Sequence, residues 1–151
     1  MPVGAIIGHH HTGIQVTDLE KSLRFYRDLL GLEVVHVWNR QAPYIEELLG
    51  YPGVDMHGVV MRMPDSDSVL EILEYRNVER KAIDPGTANP GTAHVAFRVD
   101  DCDALYEELT RKGVKSVSEP VTPTIGPNKG GRTVLMLDPD GFRIELLQPP
   151  R

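Results

Sequence analysis

The chain repeats itself. His11-Thr12-Gly13-Ile14-Gln15-Val16-Thr17-Asp18 returns 83 positions later as His94-Val95-Ala96-Phe97-Arg98-Val99-Asp100-Asp101, with small, apolar and polar residues in similar places. The halves also close alike, Val69-Leu70-Glu71-Ile72-Leu73 in the first and Arg143-Ile144-Glu145-Leu146-Leu147 in the second. A repeat of this length is one supersecondary unit used twice, so the fold must be built from two related modules.

Each half reads as strand, helix and then three strands, an α+β pattern of two βαβββ modules. In the first, residues 11–16 alternate as a strand, and Asp18 caps a helix through Ser22, Leu23, Phe25, Tyr26 and Leu29–Leu30 that Gly31 ends. Val34–Trp38, His57–Met63 and Val69–Tyr75 read as further strands, and Tyr44–Leu49 as a short helix within an excursion around Gln41–Asp55. A linker rich in Pro, Gly and Asn, Asp84–Gly91, precedes the second half. There, strand 93–99 leads to a helix from Cys102 to Lys112, a short strand Val114–Val117 and a loop Glu119–Gly131. Strand Arg132–Leu137, the turn Asp138-Pro139-Asp140-Gly141 and strand Phe142–Gln148 follow. The expected layout is a single domain over 1–151, with module 1 about 9–80, the linker about 81–91 and module 2 about 92–149.

Strand alternation assigns faces. Ile14 and Val16, Val95 and Phe97, and Ile144 and Leu146 make apolar sides suited to packing on a helix, whereas His11, His94 and Glu145 lie on the opposite sides. Glu71 shares its side with Val69 and Leu73, a setting for a covered carboxylate with a specific partner.

Two carboxylates held together repel each other and resist desolvation. A divalent cation resolves both problems, since two Glu, two neutral His and M²⁺ sum to zero. Mixed imidazole and carboxylate ligands suit Fe(II), Ni(II), Co(II), Mn(II) or Zn(II) and disfavour Ca²⁺. Four protein ligands in an octahedral shell leave two positions for water or for two neighbouring oxygens of a small-molecule substrate.

Bulk properties narrow the partners. A chain of 151 residues, 40% hydrophobic and 25% charged, is of ordinary globular composition and large enough for a real core. Its net charge of −6 opposes nucleic acid and anionic membrane surfaces as partners. The single cysteine, Cys102, cannot close an internal disulfide, which favours a reducing compartment and a cytoplasmic location. The apolar start Met1–Ile7 has no basic region, so no signal peptide is expected, and no apolar run has the length of a membrane span.

Other residues have both a chemical and a packing reading. Arg98 and Arg143 fall on the ligand side of their strands and suit substrate contact, or pairing with acids. Lys129 and Arg132, in and beside the Gly-rich stretch Gly126-Pro127-Asn128-Lys129-Gly130-Gly131, can clamp a phosphate or carboxylate or simply belong to a polar hairpin loop. Trp38, Tyr44 and Tyr51 supply either an apolar wall over the site or ordinary core. Cys102 at a helix start is either a slightly acidified thiol or, the preferred reading, packing. His9 and His10 read as flexible neighbours and not as ligands; His36 and His57 either line the cup or, the preferred reading, are structural.

His11–Val16 with Asp18–Tyr26 and Leu29-Leu30-Gly31-Leu32, and Gly91–Phe97 with Asp138–Leu146, are the residues through which the chain resembles the vicinal oxygen chelate superfamily, the glyoxalase/bleomycin-resistance/extradiol-dioxygenase group. The resemblance runs from His11 to Gln148. It implies two βαβββ modules forming a cupped mixed sheet with helices outside, a metal held by His11, Glu71, His94 and Glu145, and a homodimer. A glutamate at the position of Glu71 makes a fourth ligand, as in glyoxalase I; methylmalonyl-CoA epimerases commonly have Gln there. The implied chemistry is therefore that of a lyase or isomerase: proton transfer next to a carbonyl, a metal-stabilised enediolate, and Glu145 or Glu71 as base, Glu145 preferred. Two alternatives stay open, a non-haem iron extradiol-type dioxygenase and a metal-free drug-binding protein of the bleomycin-resistance kind.

Overall fold

The structure is a computed structural model that describes residues 4–86 and 88–151. Met1–Val3 of the apolar start and Thr87 of the expected linker lie outside the described residues. The chain divides into two compact units between Lys81 and Ala82, at the leading edge of that linker.

The first unit is a four-stranded mixed sheet in the order β1-β4-β3-β2. Its strands are β1 (His11–Gln15), β2 (Val34–Arg40), β3 (Asp55–Arg62) and β4 (Val69–Arg76). First and last strands run parallel, and the other pairs are antiparallel. Helix α1 (Leu19–Leu23) continues as a π-helical stretch over Arg24–Leu29. Ile14 and Val16, Val59 and Met61 of β3, and Leu70 and Ile72 of β4 are all buried, as are Leu19, Leu23, Phe25 and Tyr26 of the helix. Helix α1 packs on β4. Burying each large apolar side chain contributes about 1.5–3 kcal/mol, which holds the helix where its short length alone would not.

The second unit holds β5 (His94–Arg98), α3 (Cys102–Arg111), β6 (Arg132–Leu137) and β7 (Arg143–Gln148), in a three-stranded sheet of order β5-β7-β6. Again the first and last strands are parallel. Val134, Met136, Ile144 and Leu146 form the buried face, and α3 contributes Cys102 and Leu109 to the core. The strand expected at Val114–Val117 is reduced to one bridge, Ser116 to Met136, and a second bridge joins Val121 to Thr133. Two bonds hold the expected strand to β6, from the Leu137 N–H to Lys115 O at 2.8 Å and from the Val117 N–H to Leu135 O at 2.9 Å.

The repeat extends to the bonds that fasten each helix to its sheet. Asp18 caps α1 by accepting the Lys21 N–H at 3.0 Å, and Asp101 caps α3 through Ala104 at 2.9 Å. The first helical N–H is then caught from the last strand of the same unit, Leu19 by Glu74 at 3.0 Å and Cys102 by Gln148 at 2.9 Å. One difference separates the copies: Asp18 to Gly31 spans 13 positions, Asp101 to Gly113 only 12. The extra residue is accommodated by the wider π turn, in which the Leu30 N–H reaches back to Phe25 O at 2.9 Å. Both glycines end their helices at positive φ, 75° and 86°.

Glu74 and Gln148 differ in one respect with a measurable consequence. Arg76 beside it, together with the Leu19 N–H, holds the Glu74 carboxyl below the usual glutamate range. A depressed folded-state pKa gives stability that is present above the ordinary glutamate range and is lost as pH falls. Glu74→Ala is expected to cost about 1–3 kcal/mol at neutral pH. Melting curves should show the gap from the unmodified protein closing in acid, whereas a Gln148→Ala gap stays constant.

Helix α2 (Pro43–Leu49) starts on a proline and ends at Gly50 with φ 73°. Ile45 joins Val54, Met56 and Leu73 in a buried cluster, with Trp38, Leu49, Tyr75 and Val78 packed around it. Trp38, Met56, Leu73 and Tyr75 share the Glu71 side of the sheet by strand register. The excursion of the first half therefore folds back over the far end of the ligand face.

Candidate metal centre

In the first unit, parallel pairing sets His11 opposite Val69 and Gly13 opposite Glu71. Partners in a parallel pair point to the same face, so His11 and Glu71 stand diagonally side by side. His11 Nε2 lies 3.6 Å from Glu71 Oε2. The ring is about half exposed and the carboxylate mostly covered. Gly13 beside the carboxylate and Leu73 two residues along define its surroundings.

The second unit repeats the geometry. His94 faces Arg143, Ala96 faces Glu145, and His94 Nε2 lies 3.3 Å from Glu145 Oε2. In both units the residue opposite the glutamate is small, Gly13 or Ala96, leaving the carboxylate room beside the imidazole. Neighbouring ligands at about 2.1 Å from an octahedral cation sit roughly 3 Å apart, so each pair fits two adjacent positions with little adjustment. The donors suit the expected divalent cation in type as well as spacing. Among the described residues no three His, Cys, Asp or Glu side chains gather around one point; what the structure brings together is two pairs.

Sequence reasoning missed two residues that touch these pairs. His10 Nδ1 is 2.8 Å from His11 Nδ1. With His11 Nδ1 as the donor, His11 Nε2 keeps its lone pair toward Glu71, the tautomer a ligand needs. Only the adjacency of three histidines signalled it. Thr133 Oγ1 donates to Glu145 Oε1 at 2.7 Å. Nothing in the sequence marked that pair, because the contact is a diagonal across two antiparallel strands.

The expected substrate residues separate. Arg98 ends β5 on the His94 side and is exposed. Arg143 lies on the Glu145 side, its Nε buried and without a hydrogen-bond partner among the described residues. Arg132 instead points to the helix side, where Nε donates to Asp103 at 2.9 Å, Nη2 to the same carboxylate, and Nη1 to Thr122 at 3.1 Å. That guanidinium holds the Asp103 carboxyl below its usual range. Lys129 is exposed in a loop closed by its own backbone bonds, Gly130 to Pro123 at 2.9 Å and Gly131 to Asn128 at 2.9 Å. Trp38 lies on the Glu71 side, against Gly58, with the Arg40 guanidinium 4.7 Å from its ring. Tyr44 accepts from Arg40 at 3.2 Å, and Tyr51 packs edge-on to Tyr75. His36 is exposed on the ligand side of β2, whereas His57 faces the helix side and pairs with Asp55 at 3.1 Å. Cys102 is fully buried, and burial pushes its thiol pKa up, so it packs and is not an acidified thiol.

Two parallel-ended β-α-β modules, each presenting one His and one Glu from its first and last strands, define a protein class. Residues 8–146 match the Glyoxalase/Bleomycin resistance protein/Dioxygenase superfamily, and the chain belongs to it. It is 34% identical over 140 residues to a probable lactoylglutathione lyase from Synechocystis sp., covering 91% of this chain and 92% of that one. It is 28% identical over 144 residues to a 2-epi-5-epi-valiolone epimerase from Actinomyces sp., covering 93% and 79%. A glyoxalase family protein from Bacillus cereus has the same fold, with a TM-score of 0.82 at 21% identity over 100% of this chain and 99% of that one. No helix among the described residues is long and apolar enough to cross a membrane.

Proposed function

We propose that this protein is a metal-dependent lyase or isomerase that moves a proton next to a carbonyl, with a glyoxalase-type reaction favoured over an epimerase-type one. The observation that carries the reading is the duplicated His–Glu pair, set at the same strand register in both units and 3.6 and 3.3 Å across. The lactoylglutathione lyase relatives, aligned over nine-tenths of the chain, favour the glyoxalase side.

His11, Glu71, His94 and Glu145 would hold one divalent cation, the two units acting as one functional domain. Such an ion, when bound, supplies Lewis-acid polarisation of two neighbouring substrate oxygens. One glutamate takes the proton from the carbon beside the carbonyl and returns it to the adjacent carbon. Glu145 is the first candidate, because Thr133 already orients its carboxylate. Arg98 and Arg143 suit an anionic group on the substrate, with Lys129 at the loop rim; Trp38 and its cluster form the apolar wall beside Glu71. Homodimerisation is part of the same reading. Whether the two half-sites pair within a chain or across two copies, the stoichiometry is one cation per chain.

The test is direct. Protein purified without added metal is analysed for bound metal, then assayed with methylglyoxal and glutathione by thioester absorbance. One equivalent of Ni, Zn, Co, Mn or Fe per chain and activity lost to a chelator and restored by metal are expected. Oxygen uptake with a catechol would favour a dioxygenase instead, and a metal-free protein that binds small molecules without turnover would sink both enzymatic readings.

A further inference from the structure

The two half-sites are alike in register but not in what stands behind the carboxylate. Glu145 is opposed by Leu135 on β6, and Thr133, two residues earlier, shares its face. Glu71 is opposed by Val60 on β3, and the residue two places earlier is Gly58. A hydroxyl therefore stands beside one carboxylate where the other has no side chain. Gly58 has a reason of its own: a Cβ there would come within 2.8 Å of the Trp38 ring. Trp38 of β2 thus removes the position from which a side chain would orient Glu71.

Thr133 is itself fixed. Its N–H donates to Val121 O at 3.0 Å, and its carbonyl accepts the Val121 N–H at 2.9 Å. The neighbouring Arg132 is locked to Asp103. The hydroxyl donates to Oε1 of Glu145, while Oε2 is the atom turned toward His94 Nε2 at 3.3 Å. A carboxylate tied through one oxygen presents the other alone, as a one-oxygen ligand, and hydrogen bonds that orient ligands in this way strongly affect metal affinity.

From this geometry we infer that Thr133 is a positioning residue for Glu145, holding it as a one-oxygen metal ligand, and that Glu71 has no equivalent support among the described residues. The inference rests on the proposed metal centre.

The experiment measures Co(II) affinity by calorimetry and the Co(II) visible spectrum for the unmodified protein, Glu145→Ala, Thr133→Val, Thr133→Ala and Thr133→Ser. Thr133→Val and Thr133→Ala should bind roughly 10–100-fold more weakly with an altered spectrum, while Thr133→Ser, which keeps the hydroxyl, stays near the unmodified protein. If Thr133→Val melts too early to measure, Thr133→Ala and Thr133→Ser decide the matter. Unchanged affinity in the variants lacking the hydroxyl overturns the inference, as does serine falling with them, which would make Thr133 a packing residue. Failure of the unmodified protein to bind Co(II), or full binding by Glu145→Ala, overturns the metal centre itself.

Discussion

Glu145→Gln is expected to lower kcat/KM by roughly 10²–10⁴, the usual contribution of a positioned general base. Glutamine keeps the shape and a ligating oxygen but can neither take a proton nor contribute the charge that balances the cation. The comparison with Glu71→Gln then separates two roles. If Glu145 is the base, its variant loses mainly kcat while retaining part of its metal; Glu71→Gln changes metal affinity more than the proton transfer. Steady-state kinetics at saturating metal, with metal content measured on the same samples, reads both. Activity of Glu145→Gln within about tenfold of the unmodified protein would remove it as the base.

The second large effect is on stability. Asp138 is buried, and its Oδ1 accepts the N–H groups of Asp140 at 2.9 Å and Phe142 at 2.8 Å. Its own N–H and carbonyl close the same turn through Phe142 and Gly141, the latter at φ 82°. Asp138→Ala leaves two part-buried donors without their acceptor, at a cost of about 3 kcal/mol. For a chain of this size that lowers Tm by roughly 6–12 °C, measurable by differential scanning calorimetry. Since the turn delivers β7, metal affinity through Glu145 should weaken as well. A shift in Tm of under 2 °C would mean that water replaces the carboxylate without loss.

Most of what forms the sheets was legible because it obeys short rules. Alternation placed Ile14, Ile144 and Leu146 on the packed side and His11, His94 and Glu145 on the other, and the structure agrees. Asp18 and Gly31 marked the ends of the first helix through capping and positive φ. The short strand near 114–117 was over-read: it meets β6 only around Ser116, through the Lys115 carbonyl and the Val117 N–H. Arg132 illustrates the opposite difficulty. Its place beside a Gly-rich loop suggested a clamp for an anion, yet β6 alternation puts it with Val134 and Met136, where Asp103 on α3 meets it. Thr133 and His10 were illegible as site residues because their meaning lies in distances across strands and between adjacent rings.

The wider turn in the first helix has a bearing on how duplicated halves drift apart. A residue gained within a strand flips every later side chain to the wrong face. Taken up inside a helix as a single loosened coil, the same gain leaves His11 and Glu71 in step with their counterparts, so this architecture can tolerate length changes between its copies while its chemistry stays in place.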